Sequence, residues 1–209
     1  MKTINNHKLL LDKSEILYDK PFNTESLAAD WEITGGDWWV EDGILNGVYR
    51  ENGGGLVYSK ANYPGNIMLD FFGRTVSPCD NDLNFTWHAA GWDYEHNDAG
   101  ISYIAGLQGW WEAKAGIERY PECMLEAKNG MFPYKPGQFY HIQAGIVEGV
   151  NFIFVDGQLV LELRDPNPID SEKYGKIGFG TYCSFNQYRD FKLYQLAYED
   201  ATFTYTPNF

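Results

Sequence analysis

Asn151-Phe152-Ile153-Phe154-Val155-Asp156-Gly157-Gln158-Leu159-Val160-Leu161-Glu162 decides the fold class. Two runs rich in β-branched, aromatic and aliphatic residues flank an Asp-Gly pair. That pair tolerates the positive φ of a two-residue hairpin turn, so the stretch reads as strand, turn, strand. Trp38-Trp39-Val40-Glu41-Asp42-Gly43-Ile44-Leu45-Asn46-Gly47 uses the same device. Outward from these hairpins the chain is a succession of short strand-like runs broken by Gly, Pro, Asn and Asp. Strands are expected over Gly65 to Arg74, Leu83 to Ala89, Ile101 to Leu107, Trp110 to Ile117, Phe139 to Val147, Lys176 to Cys183 and Phe191 to Tyr198. Helix signal is confined to Ser14 to Leu17 and Thr24 to Asp30, the latter with Thr24 as an N-cap. Strands at this spacing without intervening helices indicate an all-β jelly-roll sandwich of two antiparallel sheets, with early and late strands able to pair. With no internal repeat or linker, residues 1–209 read as one domain.

Composition sets the outer limits. The 209 residues are 44% hydrophobic and 17% aromatic, with 22 glycines, which suits a packed β-protein and argues against disorder. The formal net charge of −13 repels a phosphate backbone, so nucleic acid is not an expected partner. No segment approaches the ~20 apolar residues of a membrane span. Cys79, Cys123 and Cys183 are odd in number and far apart, without disulfide or metal-ligand spacing. The N-terminus lacks a signal-peptide pattern, so a cytoplasmic location is expected, provided that no leader has been removed.

The chemistry-bearing region runs from Trp87 to Trp111, where Trp, Tyr and Gly interleave with polar side chains. Indole and phenol rings stack on the apolar face of a pyranose, and Asn, Gln, His and Lys pair with its hydroxyls. Aromatics are also ordinary strand and core residues, but seven tryptophans exceed what one core of this size demands. Strand parity sorts them. Asn84, Thr86 and His88 share one face, and Leu83, Phe85 and Trp87 the core face. Trp110, Glu112, Lys114 and Glu118 lie opposite Trp111, Ala113, Ala115 and Ile117. His141 and Gln143, Asp70 and Arg74, and Tyr182 and Ser184 fall on polar faces of their own strands. Lys114 and Glu118 lie ~13 Å apart along one strand.

No nucleophile elbow, P-loop, dinucleotide fingerprint or HExxH motif is present. Asp80-Asn81-Asp82 has only part of a calcium loop, so no cofactor is expected and a structural calcium ion rests on that fragment alone. A retaining glycosidase needs carboxylates ~5–5.5 Å apart, as on alternate residues of one strand. Asp80 and Asp82 are the one such pair in a suitable place, and Glu118, Glu122 and Glu126 straddle Pro121. The pattern therefore argues against a two-carboxylate hydrolase.

Trp31-Glu32, Gly35-Gly36-Asp37-Trp38, Asp42-Gly43-Ile44-Leu45 and Gly47 resemble the opening of concanavalin A-like lectin/glucanase jelly-roll proteins. Pro64-Gly65-Asn66-Ile67-Met68-Leu69-Asp70-Phe71, Gln108-Gly109-Trp110-Trp111, Lys114-Ala115-Gly116, Val155-Asp156-Gly157 and Asp165-Pro166-Asn167-Pro168-Ile169-Asp170 resemble, more narrowly, the YesU-like bacterial domain-of-unknown-function family. The likeness spans about Phe22 to Tyr198. It implies the concanavalin A-like fold and a link to polysaccharide utilisation, particularly pectin-type glycans, and supplies no mechanism. More distantly, the opening and Gly175-Lys176-Ile177-Gly178-Phe179 resemble keto-glycoside hydrolase or hydratase domains, which implies a lyase-type route. His88, Lys114 and Tyr182 are then the catalytic candidates, with Arg74 or Lys114 steadying an oxyanion.

The expectation is an oligosaccharide, from pectin or hemicellulose, held on the concave sheet. Arg74, Asn84, Trp92, Asp93, Gln108, Trp110 and His141 are the binding candidates. A lyase, hydratase or glycosidase, a non-catalytic sugar-binding protein, and a module dimerising through one sheet face all remain open. A homo-oligomer is compatible with each.

Overall fold

The computed structural model describes residues 2–50, 54–109, 114–122, 125–130 and 133–201. Two antiparallel sheets face each other. One, called here the groove sheet, has seven strands in the order Glu126–Asn129, Lys114–Tyr120, Ser102–Gly109, Leu83–Ala89, Lys176–Tyr182, Gly54–Ser59 and Trp31–Ile33. The other, the back sheet, runs Gln158–Arg164, Val150–Val155, Tyr140–Val147, Ile67–Thr75, Phe185–Gln195, Ile44–Val48 and Asp37–Glu41, with Glu15–Tyr18 alongside Phe185–Gln195. This is the expected all-β jelly-roll sandwich. Both Asp-Gly turns have positive φ at each central residue: 50° and 76° at Asp42-Gly43, 48° and 82° at Asp156-Gly157. That backbone matches the right-handed twist of the flanking strands, which is why Asp-Gly was decisive there.

Two local expectations are corrected. The cap of the Thr24–Asp30 helix is Asn23, not Thr24: Asn23 has extended backbone, and its Oδ1 accepts the Ser26 amide at 2.7 Å. Ser14 to Leu17 is not helical. Leu11–Lys13 makes a single 3-10 turn and Glu15–Tyr18 is a strand, because pairing with the back sheet outweighs a weak local helix preference. The chain ends do pair: His7–Leu9 lies between Lys2–Ile4 and Tyr198–Asp200. Ile4 and Leu9 from this small sheet cover Met68, Phe152 and Phe154 on the outer side of the back sheet.

Alternation places Phe85, Trp87, Tyr103, Ile117 and Phe179 between the sheets, together with Leu69, Phe71, Ile142 and Tyr188 from the back sheet. Trp31, Trp38 and Trp87 are therefore core residues, whereas Trp39 and Trp92 are not, and Trp110 and Trp111 lie outside the described residues. A polar thread crosses this core. The Trp87 indole donates to Asn151 Oδ1 at 2.9 Å, the Tyr103 hydroxyl to Asp165 Oδ2 at 2.6 Å, and Arg119 Nη1 to the same oxygen at 3.0 Å. Asp165 also accepts the Asn167 amide, so it locks the Asp165–Asp170 loop onto the groove sheet. Truncation would strand a buried phenol and a guanidinium. Asp165→Ala is expected to lower unfolding free energy by about 2–4 kcal/mol, read as a lower denaturant midpoint at unchanged slope. A loss below half a kcal/mol would show the thread to be dispensable.

Candidate functional site

The outer face of the groove sheet carries a trough of about 1080 Å³. Its floor follows from register. Gly116, Gly106, Asn84, Gly180 and Leu56 form one continuous rung across five strands. Three of the five have no side chain, so the rung is low. A Cβ on Gly106 would lie 2.5 Å from Leu83 O and 2.6 Å from Asn84 Oδ1, and one on Gly180 3.0 Å from Asn84 Cβ. Asn84 thus rises alone from the middle of the rung. Ile104 adds apolar floor, Tyr182 and Gln108 stand at one end, and Trp92, Asp98 and Tyr120 at the other. The Tyr120 hydroxyl donates to Asp98, which ties the Trp92–Ala99 hairpin to the sheet edge.

The charges are of one sign. Asp80, Asp82, Asp98 and Glu118 line the trough, and among the described residues no lysine, arginine or histidine does. Asp82 is the most constrained. Its backbone carbonyl accepts from Asn186 Nδ2 at 2.7 Å and Ser184 Oγ at 3.3 Å. Its carboxyl lies against Gly109, where a Cβ would come within 2.4 Å of Oδ1. That oxygen is occluded and accepts no hydrogen bond. Burial pushes the Asp82 carboxyl up to about 7; the Asn84 hydrogen bond opposes this and the Glu118 charge reinforces it.

Of the sequence candidates, Asn84, Trp92, Gln108 and Tyr182 converge here. Trp110 lies outside the described residues. The others do not join the trough. His88 was expected beside Asn84, but Lys176 opposes Ala89 while Gly178 opposes Thr86, so the strand bulges at Trp87 and His88. His88 has φ 44° and is 4% exposed, and its Nε2 lies 3.0 Å from the Gly65 carbonyl. The extra residue turns it off the trough. Burial lowers its pKa to about 4, so it stays neutral. Lys114 does keep the trough parity, but its stem lies over Gly130, with Cε 3.6 Å from where a Cβ there would be. Arg74 and His141 belong to the outer face of the back sheet. Arg74 donates to Gln187 and stacks on Phe139, and His141 lies 2.7 Å from Asp70 and stacks on Phe72. Asp93 caps its own turn, accepting the amides of Glu95 and His96. Sequence reasoning weighed Asp82 and Glu118 without joining them and missed Asp98 and Tyr120, which also line the trough. The available signal was that Asp82 shares Asn84's parity. No group of three or more His, Cys, Asp or Glu side chains converges on a metal position among the described residues.

No protein-family profile and no curated protein matches the chain. Solved structures do. Carbohydrate binding module CBM66 from Bacillus subtilis is 14% identical over 78% of this chain and 93% of its own, with a TM-score of 0.61. A Bacillus subtilis protein of unknown function with a galectin-like fold is 18% identical over 87% and 96%, with a TM-score of 0.63. A prokaryotic beta-1,3-1,4-glucanase (lichenase) derived from a mouse hindgut metagenome is 13% identical over 85% and 97%, with a TM-score of 0.54. The chain shares the lectin/glucanase jelly-roll fold.

Two buried groups give opposite pH signatures. His88 binds its proton less tightly folded than unfolded, so its contribution to stability, at most about 3 kcal/mol, is lost as pH falls from 6.5 to about 4. Asp82 binds its proton more tightly folded, so its contribution is lost as pH rises from 3.8 to about 7. In thermal melts, His88→Gln is expected to shrink the loss below pH 6.5. Asp82→Asn is expected to melt higher than the parent above pH 7 and to match it near pH 4. Parallel pH curves for parent and variants would contradict these assignments.

Proposed function

We propose that the trough binds a neutral oligosaccharide. The carrying observation is a low glycine rung with one central amide, edged by Tyr182 and Trp92 and lined with acceptors. A flat sugar ring can approach the backbone there, stack at either end and give its hydroxyl hydrogens to carboxylates. Solved structures of a carbohydrate binding module and a glucanase share the jelly-roll fold and support a carbohydrate-related role. Membership of the YesU-like family, a place in polysaccharide utilisation and a cytoplasmic location are part of the same reading. The one-signed lining favours a hemicellulose-type fragment over a pectin-type uronate, which four carboxyl groups would repel.

A purely binding role uses the same residues and stays the alternative to catalysis. A lyase or hydratase step through His88, Lys114 and Tyr182 finds no support, since His88 is sealed off behind the bulge and Lys114 leans to the sheet edge.

Titration of the protein with neutral xylo-, gluco- and manno-oligosaccharides, against oligogalacturonides, tests the reading. At least one neutral series is expected to bind more tightly than the uronates. Tyr182→Ala and Asn84→Ala should each weaken it about tenfold, the loss of one stacking or hydrogen-bonding contact. Arg74→Ala and His141→Ala should leave it unchanged. Preference for the uronates, or loss of affinity through Arg74 and His141 instead, would move the site to the back sheet.

A further inference from the structure

We propose that the Trp92–Ala99 hairpin is a flap over a second sugar subsite of the trough, and that Tyr58 beneath it is the residue that contacts the ligand there. The proposal rests on the reading of the trough as a glycan site and adds a covered part to it. Beside the rung of Gly116, Gly106, Asn84, Gly180 and Leu56 runs another, two residues along the strands and ~7 Å away. It consists of Glu118, Ile104, Thr86, Gly178, Tyr58 and Glu32, one from each of six strands. The two-residue offset gives both rungs the same outward face. Glu118 and Ile104 line the open trough, whereas Thr86, Gly178 and Tyr58 do not. A rung that begins in the trough therefore continues under cover. Its covered part repeats a feature of the open part. Tyr58 opposes Gly178 as Tyr182 opposes Gly54, on the same two strands. In each pair the tyrosine ring comes to 3.2 Å from where a Cβ on the glycine would be. Tyr58 is thus the covered counterpart of the ring that edges the trough, an apolar face beside bare backbone on which a pyranose can stack.

The hairpin is the cover. Tyr58 faces outward yet is 0% exposed. Asp98 of the hairpin and Tyr120 act electrostatically on its phenol. Tyr94 of the hairpin donates to Oε1 of Glu32, the neighbour of Tyr58 in the rung, at 2.9 Å. Closed in this way, the buried Tyr58 hydroxyl has no hydrogen-bond partner among the described residues. Buried polar groups are ordinarily paired, so the closed state carries a penalty that a ligand hydroxyl accepting from Tyr58 would remove. The build of the hairpin allows it to lift. It continues the Leu83–Ala89 and Ser102–Gly109 strands, folded back through a crook at Gly91 and Gly100. The Gly100 amide donates to Gly91 O at 2.8 Å, Gly91 has φ 100°, and a Cβ on Gly100 would lie 2.9 Å from Gly91 O. The crook excludes side chains, so the backbone can swing there without displacing packed groups. Beyond it, exposed phenol–carboxylate bonds, Tyr94 to Glu32 and Tyr120 to Asp98, tie the hairpin to the sheet, and water replaces such bonds readily.

Calorimetric titration of the full chain with the neutral oligosaccharide series, paired with thermal melts, tests the flap. Tyr58→Phe deletes the hydroxyl alone. It is expected to weaken binding about tenfold while melting no lower than the parent, because the group it removes is unsatisfied when the flap is closed. Tyr94→Phe releases a tether and is expected to tighten binding about threefold, since less of the binding free energy goes into lifting the flap. Unchanged affinity in Tyr58→Phe, a lower melting temperature of that variant, or weaker binding by Tyr94→Phe would each overturn the proposal. The trough reading would survive any of these provided that Asn84→Ala still weakens binding. Absence of binding by the parent across the series would instead overturn that reading, and the flap with it.

Discussion

The inward setting of Phe179 governs the rest of the architecture. Its ring centre lies 4.5 Å from Tyr188, 5.2 Å from Phe71, 5.3 Å from Phe191 and 5.6 Å from Trp31. It thereby joins the middle of the groove sheet to the back sheet and to the strand entering from the helix. Such a cluster combines large apolar burial with edge-on ring contacts, and shifting one strand by a residue would empty it. Because side chains alternate, holding Phe179 inward forces Gly178 and Gly180 outward. The low floor of the trough follows from the packing beneath it.

The same alternation, interrupted once, separates two chemistries. Asn84 lies on the regular part of its strand and reaches the trough. His88 lies past the bulge, where it is neutral, buried and bonded to the Gly65 carbonyl. The trough retains carboxyl groups and hydroxyls, while the aromatic and guanidinium stack of Arg74, Phe139, Arg189 and Phe72 occupies the far side of the back sheet. The trough face is acidic, whereas the back-sheet face mixes both signs, with Arg189 paired to Asp190, Lys192 to Asp19 and His141 beside Asp70. The acidic one suits a ligand that donates many hydrogen bonds and carries no negative charge.

Asp82 carries the tension within that face. An ionised carboxylate held against Gly109 with one oxygen unsatisfied is unfavourable, and the protein retains it by clamping the backbone of the same residue. Burial therefore keeps this carboxyl protonated to higher pH than an exposed one.

The fold class, the two Asp-Gly hairpins, most strand positions and the faces of Asn84, Lys114, Glu118 and Tyr182 are legible in the amino-acid sequence alone. These properties depend on local turn chemistry and a two-residue period, both written in contiguous residues. Tertiary structure decided which polar faces coincide. Arg74, His141 and Asn84 are equally polar-facing in sequence, yet the first two belong to the other sheet. It also decided that an extra residue at Trp87–His88 would reverse one side chain, since a bulge depends on the pairing strand. Finally it brought Asp82 and Glu118 to the same trough, because a carboxyl group's neighbours and burial are set by strands far apart in the chain.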